Sequence, residues 1–144
     1  MVSEKCQFIT YALVIAGWFF VDWRNNKREL RKEKRSLIDR THVDINSIES
    51  KAVEYHQGAH NNEQLSKEIK ILLDRLIKVI TREKLISNNN FRKYSDFKRA
   101  ITLNNFDSSS YICQPDNSEL LDKIYSTKDN LVHEIEMKFS NDFR

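Results

Sequence analysis

The sequence predicts an all-α protein: one N-terminal transmembrane helix, a basic juxtamembrane helix and a small helical cytosolic domain. Three observations lead there. Residues 6–21, between Lys5 and Asp22, carry no charge. The basic excess of the chain follows that run directly. Beyond it, apolar residues recur at spacings of three and four, and only two glycines and one proline are present in 144 residues to interrupt helices.

The uncharged run comes first. Its sixteen residues rise about 24 Å as a helix, a little short of the roughly 30 Å hydrocarbon core of a bilayer. Tyr11, Trp18 and Trp23 suit membrane interfaces, and snorkelling of Lys5 and Arg24 closes the gap. A signal peptide is disfavoured, because "MVSEK" sets Lys5 against Glu4 and no small-x-small cleavage site follows. A buried helix of an ordinary globular core normally shows a polar face, and here only Gln7, Thr10 and Tyr11 interrupt the run. Residues 1–23 are therefore expected to be a transmembrane anchor.

Residues 24–56 form the expected juxtamembrane stalk. Residues 22–40 hold eight basic against four acidic side chains, whereas residues 41–144 hold fifteen against sixteen. The positive-inside rule puts the C-terminal part in the cytoplasm and the short N-terminus outside, a single-pass arrangement in the inner membrane. Arg24, Lys27, Arg28, Arg31, Lys32, Lys34 and Arg35 are then expected on anionic lipid head groups. A nucleic-acid reading of the patch is the alternative, with double-stranded DNA not expected as a partner. Ile38, Ile45, Ile48, Ala52 and Tyr55 make a heptad-like stripe that fits either packing on the domain or a coiled coil between copies. "THVD" at 41–44 offers a cap for a separate helix, leaving open whether 24–55 is one helix or two.

Residues 62–144 are the expected cytosolic helical domain, and stalk residues 41–56 can pack with it. Gly58 breaks the stalk. Leu65, Ile69, Leu72, Leu73, Leu76, Ile77 and Ile80 predict the clearest amphipathic helix. Phe91, Tyr94, Phe97 and Ile101 predict a shorter one. Residues 104–118 read as a loop with turn chemistry around Pro115, although 106–113 also fits a short strand. Ser118 caps a last helix carrying Leu120, Leu121, Ile124, Leu131, Val132, Ile135 and Phe139. Cys6 and Cys113 lie at different depths in this scheme, so no internal disulfide is expected.

Candidate chemistry is sparse. No Walker A, dinucleotide fingerprint, nucleophile elbow or paired-carboxylate signature is present, so an ordinary enzyme is not expected. His56 and His60 stand at i and i+4, but Gly58 lies between them and no completing ligand is well spaced, so no metal and no cofactor are expected. Arg35 and His42, with six residues between them, match the HEPN ribonuclease spacing formally, a pair that positions a phosphate and moves a ribose 2′-hydroxyl proton. Residues 91–106 set Arg92, Lys93, Lys98 and Arg99 among Phe91, Tyr94 and Phe97. Basic groups hold phosphates and an aromatic stacks on a base, so Arg92, Lys93, Tyr94, Lys98 and Arg99 are the expected site of a nucleotide-type ligand. The plainer reading makes the aromatics core and the cations solvated.

On the anchor, Gln7, Thr10, Val14, Gly17 and Val21 share one face, the smallest and most polar stripe, and are expected to mediate homo-oligomerisation. In layout the chain resembles the small single-span membrane effectors of bacterial antiphage systems, in particular the CRISPR ancillary membrane proteins. That resemblance covers the whole chain loosely. It implies a cytosolic domain sensing a cyclic oligoadenylate and an oligomeric anchor that then disturbs the inner membrane. The alternatives are a passive tether or scaffold recruiting a protein partner, and a HEPN-like ribonuclease.

Overall fold

The computed structural model describes residues 2–144, with the side chains of residue 11 and of residues 13–144. The described residues are all-helical: α1, Val2–Gln57; α2, Glu63–Arg82; a 3-10 turn, Asn88–Asn90; α3, Arg92–Thr102; and α4, Glu119–Asp142. The segment 106–113 is irregular rather than a strand. Two compact units divide the chain, Met1–Ser36 and Leu37–Arg144.

Among the described residues no helix is long and apolar enough to cross a membrane. Within the described side chains, the uncharged run over 11–21 rises only about 16 Å, half of a hydrocarbon core. Asp22 and Arg24 end it, and α1 continues as a densely charged helix. The transmembrane helix over 1–23 and the single-pass inner-membrane placement are therefore withdrawn. The N-terminus-outside orientation and the lipid head-group role of Arg24, Lys27, Arg28, Arg31, Lys32, Lys34 and Arg35 rested on that span and lose their basis.

The second unit is built on the stripe of α1. Ile38, Ile45, Ile48, Ala52 and Tyr55 are all at most 1 % exposed, and they join one core with Leu65, Ile69, Leu73, Leu76 and Ile80 of α2, Tyr94, Phe97 and Ile101 of α3, and Leu121, Ile124, Leu131 and Ile135 of α4. The stripe thus packs on its own domain. α1 passes through "THVD" unbroken, because Thr41 Oγ1 donates back to Leu37 O at 2.9 Å instead of capping a new helix. α2 begins at Asn62, whose side chain accepts from Leu65 N, and α4 at Ser118, whose side chain accepts from Leu121 N. α3 and α4 pack side by side.

Ion pairs tie α1 to its neighbours. Lys51 Nζ lies 2.8 Å from Glu68 Oε2 of α2, and Lys128 Nζ of α4 lies 3.1 Å from Glu49 Oε1. Burial alone lowers the Lys128 pKa, but the hydrogen bond and charge of Glu49 outweigh it and leave the group raised.

The C-terminal end of α1 is closed by a distant segment. A helix leaves its last carbonyls without intrahelical donors. Here Tyr111 Oη donates to Tyr55 O and Gly58 O, Gln114 N donates to His56 O at 2.8 Å, and Cys113 Sγ lies 3.2 Å from Gln57 O. Asn104 and Asp107 take left-handed backbone angles, φ 63° and 51°, that let residues 103–114 fold back over that end.

Ile48, at 0 % exposure, sits mid-stripe. Ile48→Ala is expected to destabilise the second unit by about 2–5 kcal/mol through lost burial and the cavity left behind, read from urea unfolding of the full chain.

Candidate functional site

The segment of α1 over 11–23 has apolar side chains on every side, and none of those described is covered. Tyr11, Leu13, Val14, Ile15, Trp18, Phe19, Phe20, Val21 and Trp23 are each more than half exposed, Trp18 reaching 77 %. A helix apolar all round is normally enclosed by other structure, and a contiguous patch of this kind marks an interaction surface.

That surface has shape. Leu13, Val14, Gly17, Trp18 and Val21 line a concavity of about 560 Å3 that runs down to Asp22 and Asn25. Val14, Gly17, Trp18 and Val21 are i, i+3, i+4 and i+7, the four-residue hole that receives a knob from a facing helix. Gly17 is its floor: a Cβ built there meets no atom within 4 Å, so a second helix can approach the backbone closely. Of the face expected from sequence, Val14, Gly17 and Val21 are thus placed together, while Gln7 and Thr10 lie outside the described side chains.

The basic strip after it is solvated. Lys27 Nζ sits 4.2 Å above the Trp23 ring, a cation–π contact, and Lys32 pairs with Glu29 at 2.9 Å. Arg24, Arg28, Arg31 and Arg35 are exposed and Lys34 is half-buried.

The expected nucleotide cluster divides between core and surface. Tyr94 is buried, and its Oη donates to Leu73 O at 2.9 Å. Burial, helped by the Asp74 charge, pushes its pKa up to about 12. A ring so placed is not available to stack on a base. Arg92 is exposed with Nε 3.7 Å from Asp96, Lys93 is half-buried, and Lys98 is exposed. Arg99 is the one of the five that lines the cavity between α3 and α4. Helical periodicity explains the split: 94, 97 and 101 face the core, while 96, 99, 100 and 103 face the cavity.

The histidines separate as well. His42 Nε2 is enclosed, 3.6 Å from Glu136 Oε1, with no hydrogen-bond partner. It belongs to the second unit and Arg35 to the first. His60 is exposed beyond the helix, whereas His56 is fully buried. Its Nε2 lies 3.0 Å from Ile101 O and its Nδ1 3.3 Å from Asn105 Nδ2. Asn105 is oriented by Ile112, whose N donates to Oδ1 and whose O accepts from Nδ2. The remaining Nδ2 hydrogen therefore points at His56 Nδ1, which must be the unprotonated nitrogen. Tyr55 Oη donates to Asn61 Oδ1 at 2.8 Å and accepts from Asp107 N at 2.9 Å, and the Asp107 carboxylate takes Ser66 and Lys70. Burial raises the Asp107 pKa, but the hydrogen bonds from Lys70 and Ser66 outweigh it and hold the carboxyl below its ordinary value. This polar knot was not legible beforehand, since Asn105, Asp107 and Tyr111 sit in a loop without periodicity. Among the described residues no group of three His, Cys, Asp or Glu side chains is placed to hold a metal ion.

With this geometry in hand, comparison of the chain with protein-family models, with curated proteins and with solved structures found no match.

Burial holds the His56 pKa below its ordinary 6.5, against a smaller opposing effect of the Ile101 hydrogen bond. The unfolded chain therefore binds more protons than the folded one as pH falls through that value. Stability is expected to be full above pH 6.5 and to decline below it, before the carboxylates titrate. Thermal melts between neutral pH and pH 5 check this, and His56→Gln, although less stable, is expected to lose that part of the pH dependence.

Proposed function

We propose that this protein is a non-catalytic assembly protein: copies associate through the apolar segment of α1 and so display several copies of the helical unit Leu37–Arg144. The observation that carries the reading is the uncovered apolar surface over residues 11–23, with the Val14, Gly17, Trp18, Val21 hole at its centre. Each Val, Leu, Ile or Phe side chain removed from water contributes about 1.5–3 kcal/mol, and several such side chains on each copy favour close helix pairing. A second copy of the same segment supplies both the knob and the hole. The scaffold reading is favoured over a nucleotide-gated one because Tyr94, the ring expected to stack on a base, is committed to the core.

The test is sedimentation equilibrium of the full chain over a dilution series, beside the double variant Val14→Glu, Val21→Glu. The parent chain is expected to be oligomeric. The variant is expected to dissociate at least about a hundredfold more readily, because an unpaired carboxylate is costly to bury. Its unit Leu37–Arg144 should melt as in the parent, since neither position contributes to that core. A monomeric parent, or a variant that associates as strongly, overturns the proposal.

A further inference from the structure

The second unit carries a site of a different kind. A cavity of about 710 Å3 opens between α3 and α4, within the size range of small-molecule sites. Arg99 lines it from α3, Glu119 and Lys123 from α4, and Leu103 and Leu120 give it apolar walls.

The charges in it are left over. Glu119 and Lys123 stand at i and i+4 in the favourable order, a spacing that closes into an ion pair at Glu63–Lys67, 3.7 Å, and at Asp74–Lys78, 2.5 Å. Among the described residues, Glu119, Lys123 and Arg99 make no ion pair. Asp96, one turn before Arg99, also lines the cavity, but its carboxylate is paired with Arg92 at 3.7 Å. The cavity thus presents two unpaired cations and one unpaired carboxylate beside the Arg92-paired Asp96, with the side-chain amide of Asn104 and that of Gln114, whose Nε2 also donates to Ile112 O.

We infer that this cavity binds a small acidic zwitterion, two carboxylates and one ammonium, of acidic amino-acid to dipeptide size. The two carboxylates complement Arg99 and Lys123, and the ammonium complements Glu119. The volume exceeds what one amino acid fills and leaves room for an apolar portion against Leu103 and Leu120. This site is independent of the association surface on α1, so either can fail without the other.

Isothermal titration of the full chain with glycyl-L-glutamate and L-glutamate tests it, with glutarate, which lacks the ammonium, as comparator. Saturable binding is expected, tighter for the zwitterions than for glutarate. Arg99→Gln and Lys123→Gln should each weaken it at least about tenfold, the scale of one charged hydrogen bond. Glu119→Gln should abolish the preference over glutarate. All three positions are exposed, and unchanged melting of the variants confirms that they fold. Absence of saturable heat up to roughly 10 mM probe, binding undiminished in the Arg99→Gln, Lys123→Gln double variant, or glutarate bound as tightly as the zwitterions overturns the inference.

Discussion

The requirement that the last carbonyls of α1 find donors shapes the path of the chain in the second unit. α1 ends inside the domain, and Tyr55 O, His56 O and Gln57 O need partners there. Residues 111–114 supply them. To do so the chain after α3 must reverse, which it does through left-handed Asn104 and Asp107, residue types that tolerate that conformation. The same reversal brings Asn105 against His56 and Asp107 against Tyr55, Ser66 and Lys70. One helix terminus thereby fixes the path of the long loop, the tautomer of the buried histidine and the point from which α4 departs.

α1 carries two apolar regions with opposite fates. From Ile38 to Tyr55 the apolar residues occupy one stripe, and α2, α3 and α4 cover it. Over 11–23 they occupy the whole circumference and nothing in the described chain covers them. A stripe can be satisfied by one neighbouring layer, whereas an all-round apolar helix needs company on more than one side. The monomer therefore completes its core at one end of α1 and leaves an unsatisfied surface near the other. This contrast makes assembly the natural reading. The dense charge that follows, Lys27 and Lys32 among it, keeps the adjoining part of the helix hydrated.

The helices of the second unit were readable because their apolar residues repeat at the helical period. Leu65 to Ile80 mark α2, Tyr94 to Ile101 mark α3, and Leu121 to Ile135 mark α4, with Ser118 as the cap of α4. The run over 6–21 misled for a related reason. Absence of charge reports that water is disfavoured, but not which neighbour replaces it, and the described part falls short of a span. The cluster at 91–99 misled because composition places basic and aromatic residues together in sequence without saying which face each occupies. Tyr94 went to the core, Arg99 to the cavity and Arg92 to Asp96.

By itself the sequence determined that the chain is helical, where α2, α3 and α4 run, and which residues of α1 form an apolar stripe, though not what covers it, because apolar periodicity is a local property of the chain. Only the tertiary structure decided that α1 is continuous, that its end is closed by residues 111–114, that His56 is buried beside Asn105, and that Arg99, Glu119 and Lys123 face one cavity. Those outcomes join residues tens of positions apart, through carbonyls and side chains whose partners no local pattern names.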